Sequence, residues 1–435
     1  MRKLIEKFAV WSHERLFSRK PGPKVMNFIK NLTYVAIGIV IAKFLILLFQ
    51  LITGNIIGPA EYGKYSLVYT VSLFAYIPMA MATTAMVKYT AENKAKEIRR
   101  KVISTTFILT FLLTIFSSVI LILFANQISS LILISSRAFI AGVLMAAAYT
   151  FWVITTKLAQ GLEAMKSYSL IYVSRAIITL ALALAFYFLI SKDTISAVIA
   201  FSLGYLLSSF AILPKLKDYF RFKFDSRWAK VLLAFGFFSI LASTSSVFLK
   251  NIDRLFINAF LSVTEVGIYQ AYITATLGIA ALYTSIFVTV LFPQSSKMDK
   301  IIVWNKLGKA AKLLPLVYIA TLLLSIPLIL FYGRAYPFNF GYLVALSFAG
   351  ILIFVQNTLS WFSASYGIKG AKISVMSLAI AAGLNTLLNY LLIPILGIWG
   401  AITATIASYI LGLIYICITL KKTYIIKNIG SSEAV

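Results

Sequence analysis

Runs of predominantly apolar residues, separated by short polar breaks, recur from one end of this chain to the other, and nothing constrains its fold more. A helix needs roughly 20 such residues to cross a hydrocarbon core about 30 Å thick. Lipid offers backbone groups no hydrogen-bond partner, so each run must satisfy its own amides as a helix. The runs fall near residues 31–53, 65–87, 102–125, 131–155, 167–190 and 195–213, then near 231–251, 268–292, 313–332, 341–362, 373–395 and 399–420. The expected fold is an all-α polytopic membrane protein of about 12 transmembrane helices. Pro78, Pro327 and Pro394 lie inside or near the ends of these runs and should kink or interrupt them. Composition agrees: 61% of the 435 residues are hydrophobic and 12% charged, against about a quarter charged in a soluble domain.

The net charge of +27 would suggest nucleic acid in a soluble protein, but the positions of the charges say otherwise. With the N-terminus placed in the cytoplasm, 32 of the 40 basic residues fall on the cytoplasmic side, Lys157 and Lys166 among them. That asymmetry orients multispan proteins with both termini inside. The expected organisation is a basic cytoplasmic segment over 1–30, a first lobe over 31–214, a basic linker over 215–230, a second lobe over 231–420 and a cytoplasmic tail over 421–435. The first segment lacks a secretory signal core; Leu4, Phe8 and Trp11 among Lys and Arg suggest a short helix on the anionic inner leaflet.

The chain also resembles itself. At an offset of 204 residues, Glu61, Gly63 and Tyr65 meet Glu265, Gly267 and Tyr269, while Ala197, Ala200 and Tyr205 meet Ala401, Ala404 and Tyr409. The matches fall at equivalent places in two six-span halves, as in duplicated transporters, and imply two six-helix lobes related by a pseudo-two-fold axis along the membrane normal.

Charges within the spans are the candidate functional residues. Lys43 lies near the middle of the first span, roughly 15 Å from either interface at 1.5 Å per residue, and must face protein or a wet cavity. Tyr168, Tyr172, Arg175 and Thr179 share one face of the fifth span. Ser239, Ser243, Ser246, Lys250, Asp253 and Arg254 form a stripe on the seventh, and Asn385 and Asn389 a shorter one on the eleventh. Lys250 and Asp253 are spaced to pair, leaving Arg254 in excess, and Asp253 is the carboxylate placed for cation coupling. The polar residues would line a lumen or bond helices together. Cations without carboxylates facing a cavity favour an anionic substrate, phosphate or pyrophosphate among them.

Three segments carry a family resemblance. They are 51–65 with Gly58-Pro59-Ala60-Glu61-Tyr62-Gly63, Asp253-Arg254 leading to Glu265-Val-Gly267-Ile-Tyr269, and Asn385-x-x-x-Asn389 followed by Gly397-Ile-Trp-Gly400-Ala401-x-x-Ala404-Thr405. On these the chain resembles the polysaccharide-biosynthesis flippases of the multidrug/oligosaccharidyl-lipid/polysaccharide exporter superfamily, nearly end to end. The resemblance implies two lobes around a cavity that opens alternately to each side of the plasma membrane, and an oligosaccharide carried on a polyprenyl phosphate or pyrophosphate. Lys43, Arg175, Lys250 and Arg254 would then be the cavity cations, with Na+, H+ or membrane potential as the drive.

Other classes fit less well. A multidrug exporter of organic cations, the alternative within that superfamily, would want a buried carboxylate, and the spans of the first lobe have none. An enzyme of polysaccharide assembly should show an acidic metal motif or a sizeable extramembrane domain; neither is present. The lone His13 and lone Cys417 leave no material for a metal site, a triad or a redox pair, and no cofactor is expected.

Overall fold

A computed structural model describes residues 23–295, 300–365 and 367–426, all regular structure among them being helical. The expected helix at Leu4, Phe8 and Trp11 and the end of the C-terminal tail lie outside the described residues. The helices are α1 (Pro23–Met79), α2 (Thr83–Glu92), α3 (Lys96–Leu123), α4 (Ala125–Leu131), α5 (Ser136–Gly161), α6 (Met165–Leu189), α7 (Thr194–Ser209) and α8 (Leu213–Tyr219). They continue with α9 (Ser226–Phe260), α10 (Val263–Ser295), α11 (Lys300–Ala311), α12 (Leu314–Phe331), α13 (Phe340–Ala364), α14 (Ile368–Leu396) and α15 (Ile398–Leu420).

Among the described residues ten helical segments are long and apolar enough to cross a membrane. The first runs over Val35–Met79, 45 residues or about 68 Å of helix, enough for two crossings. Gly58 divides it with φ +76° and ψ 170°, a conformation that only glycine adopts without strain. What the hydropathy pattern separates into two spans and a loop is therefore nearly continuous helix with one broken joint. With the 35-residue α9 added, the chain is an all-α polytopic membrane protein of about twelve crossings.

Side-chain chemistry sets the helix ends. Ser135 caps α5 by accepting the Ala138 N–H at 3.3 Å, Asp193 caps α7 through Ser196 at 2.9 Å, and Asn339 caps α13 through Tyr342 at 3.2 Å. The second apolar run behaves differently from expectation. Its helix stops at Met79, just past Pro78, turns through Ala80–Ala82 and resumes as α2. On α3, Phe111, Leu112, Ile115, Phe116 and Val119 are exposed as a lipid-facing stripe, while Thr105, Thr106 and Thr110 are buried. Small hydroxyls can sit inside because they bond their own helix, as Thr106 does to Val102 O at 2.8 Å.

The chain packs as two compact units, one comprising Met1–Phe49 and Leu67–Ser243, the other Gln50–Ser66 and Thr244–Val435. Their borders fall inside α1 and α9, at none of the polar connections. The 215–230 stretch packs in the first unit, where the Arg221 and Asp225 N–H groups donate to Ser104 at 2.8 Å and Thr105 at 3.1 Å. Residues 50–66, placed by sequence in the first lobe, pack in the second unit because the two repeated glycines meet there. A methyl group on Gly63 would lie 1.9 Å from the Val263 carbonyl oxygen, and one on Gly267 1.9 Å from that of Pro59. The other repeated positions are core: Ala197, Ala200 and Tyr205 in one unit, Ala401, Ala404 and Tyr409 in the other, all at most 2% exposed.

Candidate functional site: two membrane-embedded cations in different settings

In the first unit, α6 presents Tyr168, Tyr172, Arg175 and Thr179 along one face, as the spacing predicts. Arg175 is half-buried, and its guanidinium carbon lies 4.5 Å from the ring centre of Tyr205, 4.9 Å from Phe201 and 5.2 Å from Trp152. Phe201 and Tyr205 stand one turn apart on α7; Trp152 comes from α5. The negative faces of three rings attract a planar cation, each contact contributing about 0.5–2 kcal/mol according to its desolvation. Rings continue outward: Trp152 meets Tyr172 edge-on at 4.8 Å, and Tyr149 meets Tyr76 at 4.6 Å and Tyr205 at 4.9 Å. Among the described residues no carboxylate pairs with Arg175, and its buried Nε has no hydrogen-bond acceptor.

Beside this cage lies a cavity of about 280 Å³ formed by first-unit residues at the Ala80–Ala82 break. Tyr172 and Ser243 line it, as does Trp152. The acidic residues described in this unit (Glu92, Glu97, Glu163, Asp193, Asp218 and Asp225) sit at helix ends or in connections. Lys43 is half-buried on α1, and Ser246, just past the border with the second unit, is half-buried too; the side chain of Ser239 lies outside the described residues.

The second unit corrects several expectations. Arg254 is 5% exposed and committed: Nη1 donates to Lys250 O at 2.7 Å and to Asn251 Oδ1 at 2.9 Å, and Nε donates to Gln270 Oε1 at 2.7 Å. Asp253, 4% exposed, accepts from the Tyr269 hydroxyl and the Arg254 N–H, with its Oδ1 3.6 Å from Arg254 Nη1. Arg254 is thus no excess cation, and Asp253 pairs with it and not with Lys250. The cause is burial: a carboxylate in lipid-depth protein needs the nearest full set of donors, and Tyr269 supplies one across the helix interface. Lys250 is exposed and has no ion-pair partner among the described residues.

That network runs on into the repeated motif. Gln270 donates to Thr274 at 3.1 Å, Thr274 and Tyr62 share a hydroxyl bond of 3.3 Å, and Tyr62 donates to Gln50 at 2.7 Å; Ser66 donates back to Gln270 at 3.2 Å. Two of the motif segments are therefore one connected structure. Of the two roles open to Asn385 and Asn389, the structure shows packing inside protein: both are at most 1% exposed, and Asn389 Nδ2 donates to Asn385 Oδ1 at 3.0 Å.

Sequence reasoning missed the cage of Trp152, Phe201 and Tyr205. The available signal was the i, i+4 pair Phe201 and Tyr205 on a span neighbouring the one that carries Arg175. It also missed the position of Lys157, assigned to a connection but lying within α5, four residues before its last.

Comparison with solved structures places this architecture among known transporters. An inward-facing multidrug resistance MATE family transporter of the MOP superfamily superposes with a TM-score of 0.58 at 17% identity, covering 89% of this chain and 99% of that one. The lipid II flippase MurJ in an inward closed conformation gives 0.61 at 16% identity, covering 89% and 88%. A MOP superfamily transporter from Pyrococcus furiosus, whose binding pocket is described as of reverse polarity and suggesting a different function, gives 0.56 at 16%, covering 90% and 96%. At these identities the likeness shows the fold. In sequence, 199 residues are 28% identical to an uncharacterized membrane protein of Methanocaldococcus jannaschii, 43% of this chain and 38% of that protein's length. Residues 28–299 match the family described as polysaccharide biosynthesis protein, and the chain belongs to that family.

Proposed function

We propose that this protein is a flippase that carries an oligosaccharide linked to a polyprenyl phosphate or pyrophosphate from the cytoplasmic to the outer leaflet of the plasma membrane. Its basic connections face the cytoplasm, and the lobes of 31–214 and 231–420 alternate access to the substrate. The observation that supports this most is the charge inside the first unit. Arg175 is held at membrane depth by aromatic faces and, among the described residues, by no carboxylate, and the described acidic residues of that unit stay at helix ends or in connections. A site for organic cations needs the opposite sign, whereas a phosphate can approach a guanidinium whose buried Nε–H has no acceptor among the described residues. Lys43 and Lys250 add positive charge on α1 and α9.

The reading is tested in proteoliposomes with a fluorescent polyprenyl-pyrophosphate oligosaccharide. Wild-type protein should move the lipid, and Arg175→Ala should abolish movement while retaining a folded elution profile. Inactivity toward several such lipids combined with extrusion of organic cations would sink it.

A further inference from the structure

We propose that the cavity at the break between α1 and α2 is an anion-binding site whose charged contact is Lys157, and that it takes a phosphate or diphosphate group. The inference rests on the flippase reading only for the source of that phosphate.

Lys157 lines the cavity together with the hydroxyl-bearing residues Tyr76, Tyr149, Tyr172, Thr84 and Ser243, and no carboxylate is among the described residues of its wall. Lys88 and Lys166, on the same side of the chain, are exposed; Lys157 is half-buried inside α5. Among the described residues its ammonium has neither a hydrogen-bond nor an ion-pair partner. A lysine so placed would ordinarily snorkel to headgroup water or find an acceptor. Here the space beside it is a cavity several times the ~30 Å³ that one water occupies.

Two further features give the wall the same sign. Trp152 lines the cavity and carries the Arg175 guanidinium on its ring at 5.2 Å, so a second cation stands against a residue of the wall. Thr83 and Thr84, the first residues of α2, also line it, and no side chain caps that helix. An uncapped helix start at a mid-span break brings the positive end of a helix dipole to the same place. Ammonium, helix start and hydroxyl donors suit a phosphate, whose ionised oxygens accept hydrogen bonds.

Binding to detergent-purified full-length protein tests this with inorganic pyrophosphate, geranyl pyrophosphate and uncharged geraniol as probes. Wild type should bind both pyrophosphates and not geraniol. Lys157→Gln should weaken both at least tenfold, Lys157→Arg should retain most of the affinity, and Lys166→Gln should bind as wild type does. Pyrophosphate should also protect Lys157, and not Lys166, from acetic anhydride in the wild-type protein, read by mass spectrometry; this arm needs no variant to fold. Absence of binding to wild type, or unprotected Lys157 at saturating pyrophosphate, would overturn the site. Lipid transport separates the two claims. Transport by Lys157→Gln at the wild-type rate would remove the site and leave the flippase. Lys157-dependent pyrophosphate binding without any lipid transport would keep the site, with a free anion as its ligand.

Discussion

Replacing Gly267 by alanine probes the joint where the two repeated motifs meet. The new Cβ would lie 1.9 Å from Pro59 O, 2.8 Å from Pro59 C and 2.9 Å from Gly63 N, all backbone atoms that no rotamer change can move. Restoring an ordinary contact near 3.5 Å requires the backbones to part by about 1.5 Å. The Ser66–Gln270 and Tyr62–Thr274 bonds, already 3.2 and 3.3 Å, would then break. Overpacking of this kind costs about 1–3 kcal/mol, and two lost hydrogen bonds add about 1 kcal/mol each. Against that, alanine regains about 1 kcal/mol of helix propensity, leaving a net loss of about 2–4 kcal/mol. Gly383→Ala is the matched control, because Gly383 lies inside α14 with nothing within 4 Å of the added methyl. Thermal unfolding in detergent, followed by tryptophan fluorescence, should show Tm falling for Gly267→Ala and unchanged or slightly raised for Gly383→Ala. If Gly267→Ala melts within about 1 °C of wild type, at roughly 2–4 °C per kcal/mol, the close approach does not exist as described.

Three other outcomes follow from the geometry. Asp253→Asn should destabilise by about 3–5 kcal/mol, because it leaves the Arg254 guanidinium buried without its counter-charge; a Tm shift in the same assay reads it. Arg175→Lys should lose most transport although the charge is kept, since a compact ammonium cannot lie flat against Tyr205, Phe201 and Trp152 together; initial flipping rates in proteoliposomes decide. Asp193→Ala removes the α7 cap and should cost about 1 kcal/mol at neutral pH. Slight burial raises the Asp193 carboxyl, but the Ser196 N–H and the Ser191 and Ser196 hydroxyls outweigh it and hold its pKa below the usual 3.8. Stability from this cap is therefore complete above pH 3.8 and lost as pH falls through the lower folded value, so wild type and variant should converge in acid melts.

The repeated motifs were legible in the sequence, but their meaning was not. Spacing showed Gly63 and Gly267 to be equivalent, while only packing revealed that they touch each other. Arg254 looked like a surplus cation because its acceptors, Gln270 and Asn251, are uncharged and a charge count passes over them. Lys157 was misplaced for a different reason. Hydropathy ends a span before the first lysine, whereas the helix runs on to Gly161 and keeps that lysine within it.

By itself the sequence determined the membrane, the helical class and the approximate number of crossings, because about twenty apolar residues in lipid have no alternative to intrahelical hydrogen bonds. It also determined the duplication and the sign of the embedded charge. Tertiary structure decided which of those charges are already spent. A guanidinium surrounded by carbonyl, amide and carboxylate oxygens is structural; among the described residues, one faced by aromatic rings keeps its Nε–H and an ammonium at a helix break keeps its donors. Those distinctions depend on side chains brought together from two or more helices, and no periodicity along one helix encodes its neighbour.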